Sequence, residues 1–292
     1  MPVLTTPRVR LSAETWRAQE SAHRQRADAL TAAHRDRAAR GQRHPVEDFL
    51  FTYYSYKPAV LRRWHPGLGV ELENAAVARG LWRWYAPGDS SGSLLVDGLA
   101  FAREKGDLLA SIVRMLRVTR ARPGRFGCFG LHEWAMVYRQ SEHRHPIPLR
   151  LGQEGTDAVL ESHELRCTHY DAFRFFTPAA APRNALPLTR ADQPLREQPG
   201  CLHAGMDVYR WAIKLGPLVP GDLLLDAFEL AREIRTLDMA ASPYDLRAWG
   251  LQPVPIETGD GKAEYVRRQR GFADRANALR ERMLTAIGEV AG

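Results

Sequence analysis

Five apolar residues, Leu223, Ala227, Leu230, Ile234 and Leu237, recur at intervals of four, three, four and three. That spacing follows the turn of an α-helix and lines up one apolar stripe. It predicts a helix from Asp222 to Met239 that must bury its stripe against other elements, which commits the chain to helix packing. The same segment carries Asp222, Asp226, Glu229 and Glu233 on another face. Such a row either supplies carboxylate ligands or is a solvated face. Arg232 and Arg235 close by, with acids crowding the helix start, favour the solvated reading.

The other segments extend the helical pattern. Residues 12–40 read as one helix, with Ser12 as its cap and Glu14 in its first turn. Another opens at His44-Pro45-Val46-Glu47-Asp48, where proline suits the first turn and two acids suit the positive helix end. Its aromatic body, Phe49 to Tyr56, reads as core. Residues 99–122 place Leu108, Leu109, Ile112, Val113 and Leu116 on one side. Trp134 to Tyr138 reads as a buried helix, and a last helix runs from about Gly261 to Val290. Trp82–Tyr85 and Leu94–Val96 read as short strands. Pro148–Gly152 and Thr156–Leu160 pair as a small β-hairpin. The expectation is a mainly α, single-domain bundle, 1–292, of about seven helices with that hairpin. A Pro-rich loop, 177–200, interrupts it. A loop that long inside a compact domain is usually functional or mobile.

The net charge of +7 calls for a location before it calls for a partner. Residues 1–43 hold nine Arg against four acids, and residues 262–283 hold seven Lys or Arg against three acids. The basic excess therefore sits in the two ends, and the middle is slightly acidic. A nucleic-acid enzyme more often places its basic surface around the active pocket. No apolar run approaches a membrane span and no apolar signal core opens the chain, so no membrane partner and a cytoplasmic location are expected. Three cysteines suit a reduced compartment.

All three cysteines stand just before a histidine with an acid nearby: Cys128 to His132-Glu133, Cys167 to His169-Asp171, and Cys201 to His203-Asp207. His203 and Asp207 are four apart, so on a helix they share a face. His44 and Glu47 offer a further pair at three. Neutral imidazole with carboxylates suits iron, manganese or zinc, and helical bundles build such sites from inward-facing Glu, Asp and His. The competing reading of each histidine is a hydrogen-bonded core residue. No HExxH, GxSxG, Walker A or GxGxxG pattern is present.

Four stretches carry a resemblance: His44 to Tyr54, Phe126 to Tyr138, His169 to Phe176, and Leu237 to Leu246. They resemble a family of actinobacterial proteins labelled 3-methyladenine DNA glycosylase, over nearly the whole chain. In helix count and in His/carboxylate pairs on several helices, the chain also resembles the haem-oxygenase-like dimetal oxidases. That resemblance implies a haem-oxygenase-like fold, two iron(II) ions and dioxygen as co-substrate.

The leading expectation is thus a non-haem iron oxidase or oxygenase, of the mononuclear or the diiron type, acting on a small molecule such as an amino acid. His44, Glu47, His132, Glu133, His169, His203 and Asp207 are the candidate metal ligands or their neighbours. Tyr54, Asp171 and Arg174 are candidate catalytic groups, and Arg62, Arg63 and Trp134 candidate substrate contacts; an arginine would grip a substrate carboxylate. The alternative is a DNA N-glycosylase excising alkylated bases of the 3-methyladenine type, with Asp171 or Asp207 assisting base departure. In that reading Tyr53, Tyr54 or Trp134 stacks on a flipped base.

Overall fold

The computed structural model describes residues 9–143, 146–288 and 290. Residues 1–8 of the Arg-rich segment, and Glu289 near the expected end of the last helix, lie outside the described residues. Among the described residues are twelve α-helices and four short strands.

Strand β1 (Val9–Leu11) leads into α1 (Ala13–Ala39), where Ser12 Oγ accepts from the Thr15 N–H as the cap. Short helices α2 (Phe49–Tyr53) and α3 (Pro58–Leu61) follow, then β2 (Val70–Leu72), α4 (Ala76–Arg79), β3 (Tyr85–Pro87) and β4 (Leu94–Val96). Helix α5 (Gly98–Ala121) bends at Lys105, whose backbone is non-helical. The region after it holds α6 (Leu131–Ala135), α7 (Gly152–Glu161), α8 (Tyr170–Phe173) and α9 (Gln193–Arg196). Three packed helices complete the chain: α10 (Leu202–Leu215), α11 (Gly221–Ala240) and α12 (Gly259–Ala286).

The apolar stripe of α11 is buried throughout, from Leu223 to Leu237. Helix α10 lies against it and against α12 and α5. Gly205 makes the first contact possible. A Cβ there would stand 2.7 Å from Ile234 Cδ1, so a larger residue would have to displace that side chain from the close-packed layer. Truncating a buried leucine in this layer, such as Leu230, costs about 2–5 kcal/mol. The four strands form one sheet in the order β1-β2-β4-β3, with β1 parallel to β2 and the other pairs antiparallel. Under it sits a smaller core of Trp16, Trp64, Leu72, Ala75 and Leu94. The buried Arg79 guanidinium lies over the Trp82 ring at 4.4 Å and pairs with Glu20 at 2.6 Å.

The acidic row on α11 is an ion-pair ladder. Arg26 of α1 reaches Asp226 at 2.7 Å and also Glu229. From α12, Arg282 reaches Asp226 at 2.6 Å and Asp222 at 3.0 Å, and Arg275 reaches Glu233 at 2.5 Å. The acids of one helix thus neutralise part of the basic charge of both terminal helices.

The structure corrects several expectations. Residues 152–161 are helix α7 and not the second half of a hairpin. Thr156 and Leu160 are its buried residues, four apart, which is the helical period. The side chains agree: Thr156 Oγ donates to the Gly152 carbonyl at 2.6 Å, and Gln153 donates to Asp157 at 2.8 Å. Leu149 makes its bridge to Tyr244 instead. The helical turn at Trp134 begins earlier, at Leu131, and the strand expected at Trp82–Tyr85 begins at Tyr85. The count of about seven helices was low because short turns such as α3, α4, α8 and α9 show no periodicity to read. Among the described residues no helix is long and apolar enough to cross a membrane.

Candidate metal centre

Helix α10 is nearly wholly buried, and its N-terminal half carries His203 and Asp207 one turn apart. Gly130, at a backbone φ of 73°, turns the chain into α6 and delivers His132 and Glu133. His169 stands at the start of α8, Glu197 follows α9, and Asp238 lies near the end of α11. Five separate elements converge on one buried volume.

Two groups of three donors result: His132, His203 and Asp238, and His169, Glu197 and Asp207. In each group one donor atom from every residue lies within 4.8 Å of the others. His132 Nε2 is 2.8 Å from Asp238 Oδ1. His169 Nε2 is 3.2 Å from Asp207 Oδ2 and 3.6 Å from Glu197 Oε2. The groups adjoin through His203, whose ring centroid is 4.4 Å from that of His132 and 5.2 Å from that of His169. The Nδ1 atoms of His203 and His169 are buried and meet no hydrogen-bond partner among the described residues.

The surroundings hold both groups in place. The Tyr54 hydroxyl donates to Asp207 Oδ1 at 3.2 Å. Arg210 reaches Asp207 at 3.4 Å and Asp171 at 2.9 Å. Arg235 bridges Asp238 and Glu133, each at 2.8 Å. Arg280 donates to the Ala204 carbonyl at 2.6 Å.

Five carboxyl groups, Glu133, Asp171, Glu197, Asp207 and Asp238, lie among the guanidiniums of Arg210, Arg235 and Arg280, and Arg174 and Arg190 also reach Asp171, at 3.5 and 3.7 Å. The protonation directions follow from burial and from these neighbours. Burial and the neighbouring His132 push the His203 imidazole well below its ordinary range, so it is neutral. For His132 burial pulls downward, but the Asp238 carboxylate outweighs it and the net shift is upward. His169 is likewise raised, its contact with Asp207 outweighing burial. Burial raises Glu197, while Asp207 stays below the usual carboxylate range because His169 outweighs burial. Buried carboxylates beside the neutral imidazole of His203 are a set of donors suited to divalent cations.

A cavity of about 560 Å³ opens beside the first group, and His132 and His203 form part of its wall. Cys128, Cys167 and Cys201 all line it, so the three cysteine motifs do meet in one place. Burial raises all three thiols, Cys167 to about 12, which keeps them protonated. Phe126, Leu131 and Phe176 make other walls apolar.

Of the residues singled out by sequence, His132, His169, His203 and Asp207 come together, with Tyr54 and Asp171 adjoining. Glu133 stands behind Arg235 and outside both groups of three. His44 and Glu47 are elsewhere: the His44 ring folds back so that Nδ1 accepts from the Val46 and Glu47 N–H groups, and Glu47 pairs with Arg37 at 2.7 Å. Arg62 pairs with Asp28 at 2.9 Å on the surface, and Arg63 is exposed. Trp134 is fully enclosed and donates to the Ala241 carbonyl at 2.9 Å, so it reaches no substrate. Arg174 lies 3.5 Å from Asp171 at a second, smaller pocket.

Sequence reasoning missed Glu197 and Asp238. Glu197 sits in the Pro-rich loop, where no period marks an inward side. Asp238 carried a readable signal. The exposed acids of α11 step by four, three and four, and Asp238 breaks that step one residue after the core position Leu237.

No family model matches the chain, and comparisons with curated proteins and with solved structures return no match.

Proposed function

We propose that the two groups of donors hold a pair of iron(II) ions and that the protein is a non-haem iron enzyme oxidising a small organic molecule with dioxygen. The single observation that carries this reading is the pair of buried His/carboxylate groups, adjoining through His203, with His132 and His203 in the wall of a largely apolar cavity. Two histidines and one carboxylate, as in His132, His203 and Asp238, are a ligand set typical of non-haem iron(II) oxygenases. The carboxylate-rich second group fits the di-iron sites of helical bundles. When bound, the metal supplies activation of dioxygen, and the cavity supplies a site for the substrate beside it.

The chain's own groups have definite parts in this reading. Tyr54 and Arg210 orient Asp207, and Arg235 orients Asp238, as outer hydrogen bonds orient metal ligands generally. The apolar walls exclude water from the donors. The glycosylase reading draws less support, because Trp134 is enclosed and Arg26, Arg275 and Arg282 of the terminal helices are occupied by the acids of α11.

The test is anaerobic loading with iron(II) followed by exposure to dioxygen. Dioxygen uptake above that of the same iron(II) free in buffer is expected, and this excess should be lost in His203→Ala. No uptake beyond that of free iron(II) overturns the proposal.

A further inference from the structure

Beside Asp207, and sharing no lining residue with the cysteine-lined cavity, lies a second pocket, of about 230 Å³. Helix α10 leads to it. His203, Asp207, Arg210 and Lys214 follow one another at four, three and four residues, so they form a single stripe along the helix. The first two belong to the candidate metal centre, and the last two line the second pocket. Arg174, from the end of α8, and Arg190, from the Pro-rich loop, close it, with Tyr53 and Tyr54 alongside.

The charges in this pocket do not balance. Four cations, Arg174, Arg190, Arg210 and Lys214, face one carboxylate in the lining, Asp171. Asp171 is itself shared three ways: Arg210 at 2.9 Å, Arg174 at 3.5 Å and Arg190 at 3.7 Å. Counting Asp207, which Arg210 also approaches, still leaves more cations than carboxylates. Lys214 makes no ion pair or hydrogen bond with any described residue, and the Tyr53 hydroxyl has no hydrogen-bond partner among them. Burial raises the Tyr53 phenol to about 12, so it remains a donor. Burial and the neighbouring Arg210 lower Lys214, as expected of an ammonium group crowded by a cation.

We propose that this pocket is an oxyanion site for a small organic dianion, either the phosphate group of a monoester or the two carboxylates of a dicarboxylate. Guanidinium forks match the oxygens of either group bidentately, and an ammonium adds a point charge. The volume suits a charged end group and is smaller than a pocket for a whole drug-sized ligand. The site needs no metal. Its occupant would lie against Arg210, the side chain that also holds Asp207, so anything bound there is one residue removed from the donors of the candidate metal centre.

The experiment is calorimetric titration of metal-free protein with inorganic phosphate and, separately, with succinate, at ionic strength held constant with sodium chloride. Saturable binding of at least one probe is expected. It should weaken about tenfold in Lys214→Met and in Arg190→Ala, and be unchanged in Arg62→Ala, a surface arginine distant in role. Both substituted side chains are exposed, so the variants keep the fold. Tighter phosphate binding assigns the site to phosphate monoesters, and tighter succinate binding assigns it to dicarboxylates. Absence of saturable binding by both probes, or undiminished binding in both variants, overturns the proposal. Because the protein is free of metal, the result stands apart from that of the iron and dioxygen experiment.

Discussion

Helix α11 carries carboxylates in two regions, and it treats them in opposite ways. Along one face Asp222, Asp226, Glu229 and Glu233 meet Arg26, Arg275 and Arg282 in the open, with Arg282 46% and Glu233 49% exposed. Five residues after Glu233, Asp238 is fully enclosed against His132 and Arg235. The first region has guanidiniums and water around its acids. In the second, Asp238 shares the one Arg235 guanidinium with Glu133 and is sealed from water. An exposed ion pair gains little, because water already solvates both partners. A buried charge without its partner costs several kcal/mol, so the second region must be completed by protons or by cations. The same acid side chain is thus a fastener in one place and a candidate ligand in the other.

The largest expected effect comes from breaking the enclosed side. Asp238→Ala leaves Arg235 and His132 buried without their acceptor, and should destabilise the metal-free protein by about 3–5 kcal/mol in urea unfolding. Should that variant fail to fold, Asp238→Asn, which keeps the shape, serves in its place. Glu233→Gln on the exposed side should cost less than about 1 kcal/mol. Equal losses at the two positions would erase the distinction.

Stability against pH separates the regions next. His132 and His169 are held above the ordinary histidine value of 6.5, so the folded state binds their protons more tightly than the unfolded state. Their contribution is complete below 6.5 and is lost as pH rises through the raised folded values. Asp226 is held below its ordinary 3.8, so its contribution is present above 3.8 and lost as pH falls through the lowered folded value. His203 is lowered, and its contribution likewise fades only as pH falls below 6.5. The metal-free protein should therefore lose stability on the alkaline side of 6.5. His132→Asn should flatten that slope and Glu233→Gln should leave it unchanged, as read from denaturant midpoints at successive pH values.

The smallest effect concerns salt. Arg282→Ala removes two exposed pairs and should cost about 0.5–1 kcal/mol at low ionic strength, shrinking towards zero in 1 M sodium chloride. The cost of Asp238→Asn should not shrink, because enclosed pairs are hardly screened. Parallel urea titrations at the two salt levels decide the matter.

Much of this was legible in the residues. The stripe from Leu223 to Leu237 announced α11, and the four-residue step from His203 to Asp207 announced a shared face on α10. The three cysteine motifs marked, by local pattern alone, three of the segments that line the cavity. What escaped notice depended on contacts distant in the chain. Glu197 is inward only because the loop carrying it packs against the end of α5, where Arg122 donates to the Glu197 carbonyl at 2.7 Å. Strands β1 and β2 pair across some sixty residues with three residues each, too few for any period to show. His44 and Glu47 misled for a related reason. Their spacing is helical, but His44 precedes the helix and spends its ring nitrogen capping the turn. In α7 the buried step from Thr156 to Leu160 is helical, but one such step in ten residues is too short to show a period against the neighbouring turn residues.

The most direct test of the central claim is the stoichiometry of iron(II) binding, measured anaerobically by calorimetry on metal-free protein. The account predicts about two equivalents for the wild type, fewer for Asp238→Asn, and an unchanged value for Glu233→Gln. Less than one equivalent in the wild type, or the same loss in both variants, would contradict it.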